Sequence, residues 1–340
     1  MHNKNRANAL SIKMNRPLTN MYKYIFLILL FLVLTSCEND NKVEREIAKI
    51  EAPFTIERFD KAFAETTPEK LQDLKQDYPF MFPEKYNDSF WLERMKDTLQ
   101  QELHIETQKK FQNINPEKGE IESLFKHLKY YFTAFKVPRV VTTTSNVDYR
   151  NKVVVTDTIV LVSLDTYLGS DHYFYEGIQD YIKSHLKSEQ LVVDLAEKYA
   201  ARYLFQQTRK TLLDELIYAG KILYFKDKVI PFKTDFEKIG YTAEELNWAK
   251  ANEEEIWRYF VDKELLYSTD SKLPKRFINP APFSKFYLEE IDNESPGEIG
   301  KFIGWQIVKS YMDNNDVSFE QMLSKEAKTL FDNAKYKPRK

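Results

Sequence analysis

Along most of the chain, apolar residues return every three or four positions, the spacing that gathers them on one face of an α-helix. Ile121, Leu124, Phe125, Leu128, Tyr131, Phe132 and Phe135 make one such stripe. Leu191, Val192, Leu195, Tyr199, Tyr203 and Leu204 make a second, and Leu212, Leu213, Leu216, Ile217 and Leu223 a third. Residues 42–133 read as a series of amphipathic helices broken by aromatic and proline turns, with YPFMFPEKY (78–86) a loop that carries its own apolar cluster. Between 139 and 164 the pattern changes to β-branched runs: RVVTTTS (139–145), KVVVT (152–156) and TIVLVSL (158–164), separated by polar breaks. Such runs predict a small antiparallel β-meander that needs helices over one face.

Helix starts are marked by side chains that bond exposed backbone N–H groups. Thr242 with Glu245 and Ser318 with Gln321 have the spacing of capping boxes, and Ser295, Pro296 and Glu298 combine a box with proline at the first helical position. Thr67 followed by Pro68 predicts a further start. Interior glycine costs a helix about 1 kcal/mol relative to alanine. Gly220, Gly300 and Gly304, together with Gly297 at a helix entry, are therefore expected where backbones approach closely. The fold class is α+β, mainly helical with a small meander, in a single domain over 53–335.

One segment breaks the amphipathic rule. Residues 24–34, YIFLILLFLVL, are uninterruptedly apolar, follow Lys13, Arg16 and Lys23, and run into LTSC ending at Cys37. A basic lead, a short apolar run and small residues at the end form a signal peptide, and the run is short for a membrane span. The LTSC tetrapeptide resembles a bacterial lipobox. The resemblance implies cleavage between Ser36 and Cys37, diacylglyceryl transfer to the Cys37 sulfur, and acylation of the new amino terminus. Each buried methylene contributes about 0.8 kcal/mol, so several chains hold a folded domain at a bilayer. Residues 1–36 are thus the signal peptide, with Met21 an alternative start, and 37–52 a polar tether. The expected location is the cell envelope, outside the cytoplasm, on a membrane the sequence does not specify.

Composition narrows the chemistry. With 50 basic and 52 acidic residues the net charge is −2, which excludes the basic face of a nucleic-acid binder. Cys37 is the sole cysteine, so disulfides and thiolate chemistry in the body are excluded. His2, His104, His127, His172 and His185 are scattered, with no HExxH, and no GxSxG elbow, phosphate loop or dinucleotide fingerprint occurs. Asp165, Asp171 and His172 lie after a strand, where a turn held by Asx-type bonds is the expectation. No metal and no cofactor is expected.

Three separated segments, LVSLDTYLGSD (161–171), TLLDELIYAGKILYF (211–225) and ESPGEIGKFIGWQIVKSYM (294–312), resemble the gliding-motility lipoprotein GldB family of Bacteroidota. That family is similar in turn to predicted zinc metallopeptidases with HExxH on a central helix. The resemblance implies a degenerate zincin-like fold in which Asp214 and Tyr218 stand where ligand histidines would, Glu215 where the general base would, and Gln306 near a third ligand. With the ligands missing, it implies a pseudo-peptidase: a non-enzymatic lipoprotein of the gliding-motility or type IX secretion apparatus. Its partners would be the membrane, through Cys37, and envelope proteins met by aromatic anchors in 78–86 or 283–287. The alternative is a membrane-tethered hydrolase with an atypical Asp214/Glu215 metal site. Neighbouring helical residues point about 100° apart, so a third carboxylate such as Glu298 would have to converge on that pair.

Overall fold

The structure is a computed structural model that describes residues 42–340. The apolar run, Ser36 and Cys37 lie outside the described residues. Within the stretch expected to be a tether, residues 42–47 are helical. They belong to a short N-terminal unit, and a second unit comprises residues 51–340. In that second unit Ala52 is already part of the core, and Tyr336 packs on Trp257. No helix among the described residues is long and apolar enough to cross a membrane.

The second unit is mainly helical around a four-stranded mixed sheet, in the order β1 (Ile56–Arg58), β2 (Arg139–Thr143), β4 (Ile159–Ser163), β3 (Val153–Val155). The meander expectation is corrected here. β2 pairs with β1 and with β4 in parallel, and only the β3–β4 hairpin is antiparallel. β1, three residues long, has no readable pattern of its own. The physical reason is burial on two faces, which gives parallel strands continuous apolar runs rather than alternation. Val140, Val160 and Val162 face the main core, whereas Val141, Ile159 and Leu161 face a second, aromatic core built on Phe59, Phe63, Phe82 and Trp91. The YPFMFPEKY loop supplies Tyr78, Phe80, Met81 and Phe82 to that second core.

Between β2 and β3 the chain steps past the position of β4, and this excursion is held by one buried side chain. The Asp165 carboxylate, fully buried, accepts N–H bonds from Ser145 (2.9 Å) and Val147 (2.7 Å), while Asn146 and Val147 adopt left-handed φ of 60° and 58°. A β-branched residue in that region costs on the order of 1–2 kcal/mol, and the two charge-assisted amide bonds offset it. Asp165 is therefore a loop anchor. His172, apart from it, bonds Glu106 (3.2 Å).

Further helices used below are α1 (Phe59–Glu65), α2 (Asp88–Lys96), α3 (Thr98–Lys110), α4 (Asn115–Tyr131), α5 (Leu191–Tyr203), α6 (Leu212–Val229), α7 (Asp235–Ile239) and α8 (Ile299–Asn314). All three apolar stripes enter the main core, and α6 is buried along most of its length. The boxes Thr242/Glu245 and Ser318/Gln321 form, as do two the pattern did not single out, Thr211/Asp214 and Thr234/Glu237. The Ser295 box does not form. α8 begins at Ile299, after Glu298 in a left-handed conformation (φ 58°). Ser295 Oγ donates instead to Ser284 O (2.9 Å), and Ser284 Oγ accepts the Ile299 N–H (3.0 Å). A residue distant in sequence caps the helix.

Gly220, Gly300 and Gly304 lie where α6 meets α8. A Cβ on Gly220 would overlap the Gly304 carbonyl and stand 2.8 Å from Trp305 N; one on Gly300 would stand 2.7 Å from Leu216 Cδ2. Gly304 itself lies against the Leu216 backbone. Two helices meeting backbone to backbone fix the centre of the domain.

Candidate functional site: a charge-paired cleft

A cavity of about 570 Å3 gathers the C-terminal end of α6, one flank of α5, the end of α7, the entry to α8 and the loops before β3 and α5. Its polar groups are arranged as pairs of opposite charge. On α5, Asp194 and Glu197 are three residues apart and share a face beside the apolar stripe. Asp194 Oδ2 receives the Lys152 ammonium (2.5 Å) and the Tyr167 hydroxyl (2.7 Å). Glu197 Oε2 receives Lys226 (2.7 Å), whose Nζ also donates to Lys238 O (3.1 Å). Glu298 pairs with Lys301 one turn into α8 (2.5 Å). Tyr241, which follows the left-handed cap Gly240, donates to Gly297 O (2.6 Å).

These contacts set the protonation states. The Lys226 ammonium beside it holds the Glu197 carboxyl well below its ordinary range, so it stays ionised. Burial pulls the Lys301 ammonium down, but Glu298 and Glu197 together carry it above its ordinary value. Burial, aided by Lys152 and opposed by Asp194, lowers His185 to about 4, so its imidazole is neutral near pH 7. Burial and then Glu298 keep the Tyr241 phenol protonated. Ser184 spends its hydroxyl on Tyr181 O (3.2 Å). The cleft thus offers fixed charges of both signs and a neutral imidazole, an arrangement for binding a polar group. A general acid would need a carboxyl poised near neutrality, and Glu197 is the reverse.

The strained backbone of Glu298 stands in this cleft. Left-handed φ in a residue other than glycine persists only where the surroundings enforce it, and such positions concentrate at functional sites. Here the enforcing contacts are Ser284 on the amide of Ile299 and Tyr241 on the carbonyl of Gly297.

The residues singled out on the central helix lie elsewhere. Asp214 is in the first turn of α6, twelve residues before Lys226, about 18 Å along the axis at 1.5 Å per residue. Its Oδ2 accepts the N–H groups of Lys210 (2.9 Å) and Thr211 (2.9 Å), and its own N–H donates to Thr211 Oγ1 (3.2 Å). Glu215 is ion-paired with Arg209, whose guanidinium lies 3.7 Å over the Tyr218 ring. Gln306 is partly exposed in mid-α8. Neither Asp214 nor Glu215 lines the cleft, while Glu298 does. Among the described residues no three His, Cys, Asp or Glu side chains form a metal-binding group. Asp214 and Glu215 do not fit a metal site, because both carboxylates are engaged by the chain's own N–H groups and guanidinium.

Sequence reading did not find Lys152, His185, Asp194, Glu197, Lys226 or Tyr241. One signal was present: Lys221 and Lys226 interrupt a helix otherwise buried on nearly all sides, and a lysine there requires a specific partner. For Lys221 the partners are the carbonyls of Leu323 (3.4 Å) and Lys325.

The family model described as gliding motility protein GldB matches residues 40–338. No curated protein and no solved structure matches the chain.

Proposed function

From the premise that the chain belongs to the GldB family of gliding motility proteins, we propose that it is a lipid-anchored, non-enzymatic component or assembly factor of the gliding-motility or type IX secretion apparatus. The observation that carries the non-enzymatic part is the Asp214 carboxylate. It closes the N-terminus of α6 through two backbone N–H bonds, so the place of a metal ligand is used to cap a helix. Lipobox spacing before Cys37 supports the anchor, with the folded unit held at an envelope membrane and its surface directed at protein partners.

Two surfaces suit such partners. The cleft, with charges of both signs, matches a polar segment of opposite pattern. Phe283, Tyr287, Leu288 and Ile291 add exposed apolar area within and beside the 283–287 stretch. Tyr287 lies under Arg276 (4.5 Å) and Lys285 (5.1 Å), giving it an apolar body with a cationic rim.

The test is genetic and biochemical. Cys37→Ser should move the protein from the membrane to the soluble fraction and abolish gliding. Asp214→Asn combined with Glu215→Gln should leave gliding intact wherever the protein accumulates normally. Stoichiometric metal in the purified protein that is lost in Asp214→Ala, accompanied by peptide hydrolysis, would replace this reading with the hydrolase alternative.

A further inference from the structure

A second pocket, of about 250 Å3, opens beside the aromatic core, between α1, α2, α3 and the end of β2. Phe59, Phe63, Tyr86, Phe90 and Trp91 give it walls of π surface, and Arg94 and His104 add the polar groups. Tyr86 stacks on Phe90 at 4.2 Å, and Phe90 meets Trp91 edge-on at 5.1 Å, so the walls are mutually supported.

Two of the lining residues bring three unpaired buried nitrogens to this one pocket. Trp91 and His104 are 8% and 7% exposed, and Trp91 Nε1 and both ring nitrogens of His104 make no hydrogen bond among the described residues. A buried polar atom left unpaired costs roughly 1–3 kcal/mol, and most in native proteins are satisfied. Three around one small space are therefore costly unless something else meets them. The neighbouring Asp60 shows the contrast: its carboxylate is held by Arg58 (2.7 Å), Gln108 (3.0 Å) and Thr142, so the pocket's one acid is fully occupied within the fold.

The vacant bonding capacity has a sign. Indole N–H is a donor only, and neutral imidazole supplies one donor and one acceptor; burial lowers the His104 pKa and keeps the ring neutral near pH 7. The Arg94 guanidinium, which bonds Asn146 Oδ1 (3.2 Å), adds positive charge. Donors exceed acceptors, the charge is positive and the walls suit a ring. The volume is below the usual range for a drug-sized ligand and suits one ring with a short polar group.

We propose that this pocket binds a single aromatic group carrying a carboxylate, with the ring among Phe63, Phe90 and Trp91 and the carboxylate met by Trp91 Nε1, His104 and Arg94. That chemistry exists in the C-terminal aromatic residue of a polypeptide and in a free aryl carboxylic acid. The site is independent of the charged cleft and of the role proposed above.

The test uses the purified full-length protein and isothermal titration with three probes: a short peptide ending in phenylalanine, the same peptide with an amidated terminus, and 3-phenylpropionate. Amidation should weaken binding at least tenfold, and Trp91→Phe, which keeps the wall but removes the N–H, about tenfold, the value of one hydrogen bond to a charged group. A peptide tighter than phenylpropionate identifies a polypeptide terminus as the source; equal affinities identify the free acid. Should Trp91→Phe fail to fold, the His104 imidazole resonances of the unaltered protein replace it and should shift as the site fills. Absence of saturable binding by either carboxylate up to about 10 mM, affinity unchanged in Trp91→Phe, or unmoved His104 resonances at saturation would overturn the assignment.

Discussion

Gly220 on α6 and Gly304 on α8 meet backbone to backbone, so that a single methyl group on Gly220 would occupy the space of the Gly304 carbonyl. Buried side chains flank the crossing, among them Leu216, Ile217, Ile303 and Trp305. A glycine at such a crossing sacrifices helix propensity for a closer approach of two buried faces.

Gly220→Ala should accordingly destabilise the domain by about 3 kcal/mol or more, because the obstacle is backbone that cannot rotate away. Gly119, exposed in α4 with nothing within 4 Å of an added Cβ, provides the opposite sign. Gly119→Ala should stabilise by about 0.5–1 kcal/mol. Urea denaturation of both variants checks the pair, and similar effects at the two sites would refute the packing account.

The Thr211/Asp214 box predicts a purely structural loss. Asp214→Ala and Thr211→Ala should each cost about 1–2 kcal/mol, and the double variant should cost less than the sum because the two side chains satisfy one helix end. A double-mutant cycle by thermal or chemical unfolding reads the coupling. Additive losses would mean that the box is not the unit that matters.

In the cleft, Lys226 and Glu197 are unequal partners: the lysine side chain is 4% exposed and the glutamate 48%. Glu197→Gln leaves a buried ammonium with one carbonyl neighbour and should cost about 2 kcal/mol, whereas Lys226→Met leaves a carboxylate that water can solvate and should cost about 1 kcal/mol or less. The reverse order in equilibrium unfolding would place the burial of this pair incorrectly.

His185 predicts a pH window. Its folded-state value of about 4 lies below the unfolded value of 6.5, so the unfolded chain takes up a proton first as pH falls. Stability associated with the neutral ring is fully present above pH 6.5 and is lost between 6.5 and about 4, by about 1–3 kcal/mol in total. His185→Gln should flatten the stability profile in that window relative to the parent. Parallel profiles for the two proteins would show that the ring does not govern the acid limb.

The hydrophobic rhythm of the chain was sufficient for the long helices and for the presence of β-structure, because a stripe at helical spacing has one face to bury whatever it is buried against. Two capping boxes were legible for the same reason: both partners lie within four residues. The family resemblance was legible in three segments, and the family match extends over residues 40–338. Strand order was not legible, since β2 and β4 are apolar on both faces and the choice between parallel and antiparallel pairing was made by the 144–152 excursion that Asp165 holds. Ser295 failed as a cap because Ser284, eleven residues earlier, engages its hydroxyl and satisfies Ile299 in its place. The cleft was hidden for a related reason. Its paired charges come from α5, α6, α8 and the loop before β3, and a lysine or glutamate on a helix is an ordinary solvated residue until folding sets it beside a partner under low dielectric. Local pattern determined which segments become elements; pairing across long sequence distances decided where the polar groups meet, because the cost of burying charge is set by neighbours that no short window of sequence contains.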